Sequence, residues 1–196
     1  MKFKPFNCSF TLLLLLILGF SQLSYSQFFV ETKAGLNASI SPKIYNFSHI
    51  GFGVGYMHNS LVGVKIDYAK DDFSNANGFS NSKRADVQLM ANLSNLIFDK
   101  SYYDSFFVLA HAGMGMSSLQ PSSANVSDTN INFMMGITPK YKIIDGLDLI
   151  VDASLVMNTN QNYNFDGSPT YQDLAVPQVG YLFNLSVGLM YRFIEY

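Results

Sequence analysis

The sequence predicts an all-β fold, an eight-stranded antiparallel up-and-down transmembrane β-barrel, from three observations. The stretch Val179 to Phe193 alternates apolar residues with polar or small ones, which is the period of a strand. Its 15 residues exceed the ~9 to 11 that a strand needs to cross a bilayer. Charged residues make up only 13% of the chain, against about 25% in soluble domains, and aromatics reach 15%. Such a chain has little charge with which to cover a water-facing surface.

Residues 1–26 are expected to form a secretory signal peptide. Two lysines precede an uncharged run from Phe10 to Phe20, and Ser24-Tyr25-Ser26 supplies small residues ahead of a cleavage site. The run of 11 residues is short of the ~20 that a membrane-spanning helix requires, which disfavours the alternative of an uncleaved anchor. We therefore expect residues 27–196 to form one outer-membrane β-barrel domain in the cell outer membrane.

Charge and cysteine content exclude several classes of function. Cys8 is the only cysteine and lies in the predicted signal peptide, so no disulfide or thiolate metal site is expected in the mature chain. Without the two lysines ahead of the apolar run, ten basic side chains remain against 14 acidic ones, a net charge of −4. This balance, without a basic patch, predicts no nucleic acid partner.

Turn residues divide the chain into eight segments of strand-like alternation. The segments are 28–38, 48–57, 61–70, 85–98, 105–116, 131–144, 147–157 and 179–193. Long polar connections, among them Asp71–Arg84, Ser117–Asn130 and Asn158–Gln178, alternate with turns as short as Asp145-Gly146. Because eight is even, both termini lie on one side, and this alternation is typical of short periplasmic turns and long extracellular loops.

The two faces of these segments differ in charge. The apolar parity of the segments, followed from Val62 to Tyr68 in the third one, carries no Asp, Glu, Lys, Arg or His. We predict that it faces lipid, where a Lys or Arg at mid-depth would cost ~2 to 4 kcal/mol. The other parity carries five acids and five bases, a predicted lumenal charge network. Its members are Glu31, Lys33, Lys65, Asp67, Asp86, Lys140, Lys142, Asp148, Asp152 and Arg192. Since an eight-stranded interior is about wide enough for side chains alone, a structural network that fills the core is favoured over a narrow polar path.

Two places fit this pattern poorly. Pro139 lacks an N–H inside a strand that has neighbours on both sides, so we expect a bulge or break there. The fifth segment is apolar at both parities near its start, which leaves open whether Phe107 and Leu109 point inward.

Catalytic and metal-binding constellations are not recognisable in the sequence. His49 and His111 fall on the inward parity and His58 lies in a turn, without the spacing of a metal site. No nucleophile is placed with a base at one rim of the barrel. We therefore expect neither an enzyme nor a bound cofactor or metal.

The predicted extracellular loops mix aromatic residues with small polar ones, a composition that suits recognition surfaces. The candidate recognition residues are Phe73, Phe79, Tyr163, Phe165 and Tyr171. Polar, mobile loops without a partner are the alternative interpretation.

Three short motifs resemble the small outer-membrane β-barrel domain proteins, including the PorT-type group. They are Lys33-Ala34-Gly35-Leu36-Asn37, the glycines Gly51, Gly53 and Gly55, and the closing Gly188 to Phe193. The resemblance implies an OmpA/OmpX-like closed barrel in outer-membrane lipid. It also implies insertion by the barrel-assembly machinery, which would read a C-terminal aromatic, Phe193 or Tyr196. PorT-type members are linked to protein secretion and gliding systems, and no catalytic residues carry over.

These observations favour a non-enzymatic outer-membrane barrel that serves envelope integrity or surface recognition through its extracellular loops, with envelope proteins as partners. An accessory component of a protein secretion system and a narrow pore are the alternatives. A soluble periplasmic lipocalin-like ligand binder would require the opposite facing of the strands. That facing would crowd too many aromatic side chains into an eight-stranded interior.

Overall fold

The computed structural model describes residues 27–76, 78–98, 104–172 and 174–193. The predicted signal peptide and Tyr196 lie outside these ranges. Eight strands and one short helix make up the described regular structure. They are β1 Gln27–Ser39, β2 Ile44–Met57, β3 Val62–Asn75, β4 Gly78–Asn92, α1 Leu93–Phe98, β5 Phe106–Pro121, β6 Asp128–Ile144, β7 Leu147–Gln161 and β8 Gln178–Arg192.

The strands form a closed barrel in which each strand pairs antiparallel with the next and β8 pairs with β1. Thr32 of β1, for example, lies opposite Phe52 of β2 and Leu189 of β8. Closure pairs the backbone of every strand on both sides and leaves no edge. The predicted eight-stranded up-and-down barrel is confirmed. No helix in the described part of the chain is long and apolar enough to cross a membrane.

The apolar parity of the strands faces outward. In β8, Val187 is 54% exposed while its neighbour Ser186 is 1% exposed, and the same alternation runs along the strand. Exposed apolar side chains occur on the outer face of all eight strands, and most of the buried side chains inside are polar or charged. This facing overturns the lipocalin-like alternative, which requires an apolar lumen and a charged exterior.

Several strands are longer than predicted at the end of the barrel that carries the long loops. The stretch Asp71–Arg84, expected to be a loop, is mostly a hairpin of β3 and β4 in which Ser74 lies opposite Phe79. Beyond the lipid the outward face of a strand no longer has to be apolar, and the inward face carries apolar residues such as Phe73 beside polar ones such as Asp71. The alternation of apolar and polar residues that marks a strand is therefore lost. For the same reason β5 reaches Pro121, and β6 begins at Asp128.

The fourth strand ends earlier than its sequence pattern suggested. It stops at Asn92, and the apolar residues that follow form α1 instead of continuing the strand to Phe98. The Asn92 side-chain oxygen accepts a hydrogen bond from the backbone N–H of Asn95 at 3.2 Å. An asparagine that accepts this bond is a favoured N-cap. It starts the helix at the end of the barrel where β1 begins, which is the predicted periplasmic end.

The ladder between β6 and β7 is interrupted at Pro139, as predicted. Pairing passes from Ile137 opposite Ala153 directly to Lys140 opposite Ile150, without a change of register. The register shift of this pair lies closer to the turn, after Lys142. On the other side, Pro139 keeps its place opposite Val108 of β5.

Candidate functional site

The middle of the lumen is built around the ammonium group of Lys33. Its Nζ lies 3.2 Å from Asp67 Oδ2, 3.6 Å from Glu31 Oε1 and 3.8 Å from Asp152 Oδ1. Lys65 donates a hydrogen bond of 2.7 Å to the same oxygen of Glu31. All five side chains are buried, so each charge depends on the others for compensation. We call these five residues the central cluster.

Glycines on β2 make the room for this cluster. Gly51 lies opposite Lys33, and a Cβ there would sit 2.6 Å from Lys33 Cε. Gly53 lies opposite Glu31, and a Cβ there would sit 2.9 Å from Glu31 Cγ. The space that the inward glycines leave is thus occupied by long charged side chains.

A second polar group lies toward the outer end of the lumen, around Asp71. Its carboxylate accepts a 2.6 Å hydrogen bond from Arg84 Nη1 and a 2.8 Å bond from Asn184 Nδ2. His49 Nδ1 is also 2.8 Å away, and Arg84 Nε is 3.5 Å from Asp86 Oδ2. Asp71 and Arg84 were missed because they lie in the stretch taken for a loop. Continuing the alternation of inward-facing positions along the strands from Asp67 and Asp86 would have placed both residues in the lumen.

The other inward histidine joins the central cluster. His111 Nε2 lies 3.1 Å from Asp152 Oδ2, and Thr138 donates a 2.8 Å hydrogen bond to the same oxygen. Within the described ranges, no group of three or more His, Cys, Asp or Glu residues could hold a metal ion. Both inward histidines therefore lie beside a carboxylate in a polar network.

Toward the periplasmic end, Asp148 lies between two cations. Arg192 approaches it at 2.7 Å through Nε, and Lys140 Nζ is 3.2 Å away. The Lys140 ammonium also lies 4.7 Å from the centroid of the Phe107 ring. Lys142, assigned to the lumenal network from its parity, instead pairs with Asp145 at 2.8 Å in the partly exposed β6–β7 turn. Lys142 still lies opposite the buried Asp148 in the ladder, but it is the last residue before the register shift, and its ammonium group reaches the turn.

Two buried apolar clusters lie on either side of the central cluster. The inner cluster, at the periplasmic end, consists of Phe29, Met57, Met90, Phe107, Leu109, Ile150 and Met190. The outer cluster consists of Ile44, Phe73, Leu119, Met134, Val156, Phe165 and Leu182. Phe107 and Leu109 therefore point inward. Side chains therefore fill the lumen at three levels: the outer apolar cluster, the polar side chains around the central cluster, and the inner apolar cluster, against which Lys140 packs.

The loop between β7 and β8 folds over the outer mouth of the barrel, and we call its described residues, 162–172 and 174–177, the cap. Phe165 of the cap packs on Phe73 of β3, with ring centroids 4.7 Å apart and planes inclined at 45°. Ser80 donates a hydrogen bond to the Phe165 carbonyl oxygen. Both aromatic rings are fully buried. They are thus part of the barrel's packing and not the exposed recognition residues that the sequence suggested.

Two carboxylates fix the cap. Asp128 accepts hydrogen bonds from the backbone N–H groups of Asn162 at 2.6 Å and Tyr163 at 3.2 Å. Asp166 accepts bonds from the Ser168 hydroxyl at 2.6 Å, the Ser168 N–H at 3.0 Å and Asn75 at 3.4 Å. Burial opposes ionisation of Asp166, but the hydrogen bonds from Ser168 and Asn75 outweigh it and lower the pKa of this carboxyl. The cap is therefore an ordered structure tied to β3 and β6.

Of the three remaining loop aromatics, one is partly buried and two are exposed to solvent. Tyr163 is partly buried against the outer cluster. Phe79 and Tyr171 are exposed, as a recognition role requires. Apolar residues that the sequence analysis did not single out lie exposed on the same outer end, in the cap and the β5–β6 loop. They are Val126, Leu174 and Val176.

Solved structures of outer-membrane proteins share this fold. Neisserial surface protein A has a TM-score of 0.57 and 10% sequence identity, over 86% of this chain and 97% of that chain. A major outer membrane protein from Thermus thermophilus has a TM-score of 0.55 and 14% identity, over 86% and 99% of the two chains. No family model matches the chain, and no significant match was found among curated proteins. The chain has the fold of the small outer-membrane β-barrels, in agreement with the location predicted from its sequence.

Proposed function

We propose that this protein is a non-enzymatic outer-membrane barrel that serves envelope integrity or surface recognition through its extracellular end. The observation that carries this proposal is the filled lumen: the central cluster lies between two apolar clusters, and the cap covers the outer mouth. Because side chains occupy the interior, the surfaces left for function are the lipid-facing wall and the outer loops.

The wall supports a position in the membrane. Every strand exposes leucine, isoleucine, valine or aromatic side chains on the wall. Soluble monomers rarely expose contiguous apolar patches larger than a few hundred Å². Burying such a wall in lipid is favourable by about 25 cal/mol for each Å² of apolar surface removed from water. We infer insertion by the barrel-assembly machinery, since β8 carries Tyr191 and is followed by the exposed Phe193.

The outer end supports recognition of an envelope protein. Tyr171 and Leu174 are exposed on the cap, and a backbone bridge joins them. Because Asp128 of β6 and Asn75 of β3 hold the cap in place, a partner that binds these side chains has little conformational entropy to remove from them. The PorT-type resemblance suggests a component of a secretion system as one such partner, and this surface would be the part that docks.

The test is a photo-crosslinking amino acid placed at Tyr171 of the full chain in living Gram-negative cells. Tyr141 is the matched control, because it is an equally exposed tyrosine on the lipid-facing wall near the periplasmic turn. We expect a discrete protein adduct from position 171, lost when Leu174 is replaced by serine, and none from position 141. Equal adduct patterns from both positions, or none from position 171, would contradict recognition at the cap.

A further inference from the structure

On the outer wall, the apolar surface of β3 and β4 ends earlier than that of β8. The outward residues of β3 are Val62, Val64, Ile66 and Tyr68, followed by Lys70. Those of β4, read from its periplasmic end, are Ala91, Leu89, Val87 and Ala85, followed by Lys83. In β8 the outward apolar positions continue from Tyr191 to Val179 without a charged residue. Two lysines thus interrupt the wall on one side of the barrel.

The depth of these lysines follows from strand geometry. Lys70 is eight residues along β3 from Val62. With a rise of ~3.3 Å per residue and a tilt of ~40°, this distance corresponds to a height of about 20 Å. The apolar band of an outer-membrane barrel is ~25 Å tall. The lysine stems therefore lie near the outer edge of the hydrocarbon, and their ammonium groups reach the headgroup layer by snorkelling.

The strand register places the two lysines side by side. Lys70 and Lys83 are directly opposite each other in the β3–β4 ladder, an arrangement of like charges that destabilises a sheet. Lys70 lies 3.2 Å from the carboxylate of Asp72, which also accepts a hydrogen bond from Asn81. Lys83 makes no hydrogen bond or ion pair with any residue that the structure describes. The single carboxylate leaves this pair with a net positive charge.

The strands on either side add no further charge. Lys70 faces Ile50 of β2, and Lys83 faces Ser118 of β5. Tyr68 lies below Lys70 and is exposed on the wall. An anionic group bound between the lysines would thus have an apolar surface beneath it for acyl chains and a hydroxyl beside it. A lipid has this combination, whereas a free anion would leave the apolar part unused.

We propose that Lys70 and Lys83 form a binding site for the phosphate of an anionic lipid headgroup in the outer leaflet. The bound phosphate offsets the repulsion between the lysines and compensates Lys83. The site lies outside the lumen and apart from the cap, so it goes beyond the recognition function proposed above. It depends only on the barrel spanning the membrane.

The test uses a single tryptophan, since the natural sequence has none. Tyr68→Trp places it next to the pair, and Leu155→Trp places the control on β7, across the barrel. The full chain is reconstituted in vesicles that contain dibrominated phosphatidylglycerol or dibrominated phosphatidylcholine, and quenching gives the relative affinity at each tryptophan. A positive charge near an anionic surface contributes ~1 kcal/mol, so we expect a preference for the anionic lipid of about fivefold per lysine at position 68. At position 155 we expect no preference.

Variants separate the lysine pair from general surface charge. In the Tyr68→Trp background, Lys70→Gln with Lys83→Gln should abolish the preference, whereas Lys43→Gln, an exposed lysine in the β1–β2 connection, should leave it unchanged. Each variant must keep faster migration of unboiled samples, which shows that the barrel has folded. Equal preference at positions 68 and 155, or a preference that survives in the double variant, would overturn the proposal. So would displacement of the brominated lipid by inorganic phosphate at constant ionic strength, since the site would then take a free anion.

Discussion

In the middle of the lumen, Lys33 is surrounded by carboxylates that all project from strands, whereas at the outer mouth Phe165 reaches Phe73 from a loop. The first arrangement cannot come apart without separating the barrel wall. The second can open by movement of the cap alone, because its backbone is tied by hydrogen bonds to a few side chains. Regions with few buried contacts open locally at a lower free energy than the whole fold. The central cluster should therefore determine global stability, and the cap should determine access to the outer mouth.

Lys33→Met should have the largest effect. The substitution removes the cation that compensates the buried carboxylates of Asp67, Glu31 and Asp152. Because these negative charges lose their partner, the unfolding free energy should fall by ~3 to 5 kcal/mol. The measurement is urea unfolding of the barrel in lipid vesicles, followed by the migration of unboiled samples. Lys142→Met is the matched control, because its ion pair lies in the partly exposed turn, and we expect a change within ~0.5 kcal/mol. Equal losses in the two variants would contradict a central role for the cluster.

Phe165→Ala should act on the cap and spare the barrel. Loss of a buried phenylalanine costs ~3 kcal/mol or more, which should raise the population of the open cap on the order of 100-fold. Protease cleavage within residues 162–177 should accelerate by a similar factor, while the urea midpoint changes little. Tyr171→Ala, an exposed aromatic of the same cap, should cleave at nearly the natural rate. A cleavage rate unchanged by Phe165→Ala would show that this ring does not hold the cap.

The smallest effect should be a pH dependence of the cap. Hydrogen bonds from Ser168 and Asn75 lower the pKa of Asp166 in the closed cap despite its burial, whereas in an open cap the ordinary value of ~3.9 applies. The carboxylate therefore stabilises closure above about pH 3.9, and this contribution is lost as the pH falls through the lowered pKa of the closed cap.

Pepsin cleavage of the cap, compared between the natural chain and Asp166→Asn between about pH 5 and pH 2, measures this contribution. The variant should be cleaved faster at the upper end of the range, and the two rates should converge at the lower end. Taking the ratio at each pH removes the protease's own pH profile. A constant ratio would rule out Asp166 as the titrating group.

The sequence was sufficient to predict which residues form the lipid-facing wall, because lipid imposes one rule on the outward positions between the two rims: they have to be apolar. Val187 and Ser186 differ in facing as their alternation predicted. The same rule predicted that Lys33, Asp67 and Asp152 lie together in the lumen. Charged side chains on the inward face of several strands come into contact because the barrel is narrow.

The rule fails where lipid ends. Asp71 and Arg84 belong to strands that continue into water, and Lys142 lies where the β6–β7 register shifts at a turn. The inward path of Phe165 depends on tertiary contacts of the cap that no periodic pattern records. The pairing of Lys70 with Lys83 likewise required the hairpin register, although the outward parity of each lysine is visible in the sequence.

The central claim, that the lumen is closed by its own side chains, is tested most directly by planar-bilayer conductance of protein that migrates faster when unboiled. We expect no steady conductance from the natural chain. We also expect none from Phe165→Ala, because opening the cap leaves the central cluster and the inner apolar cluster in place. A stable, ohmic conductance of the natural chain would contradict a filled lumen, and one that arises only in Phe165→Ala would show that the cap alone closes the barrel.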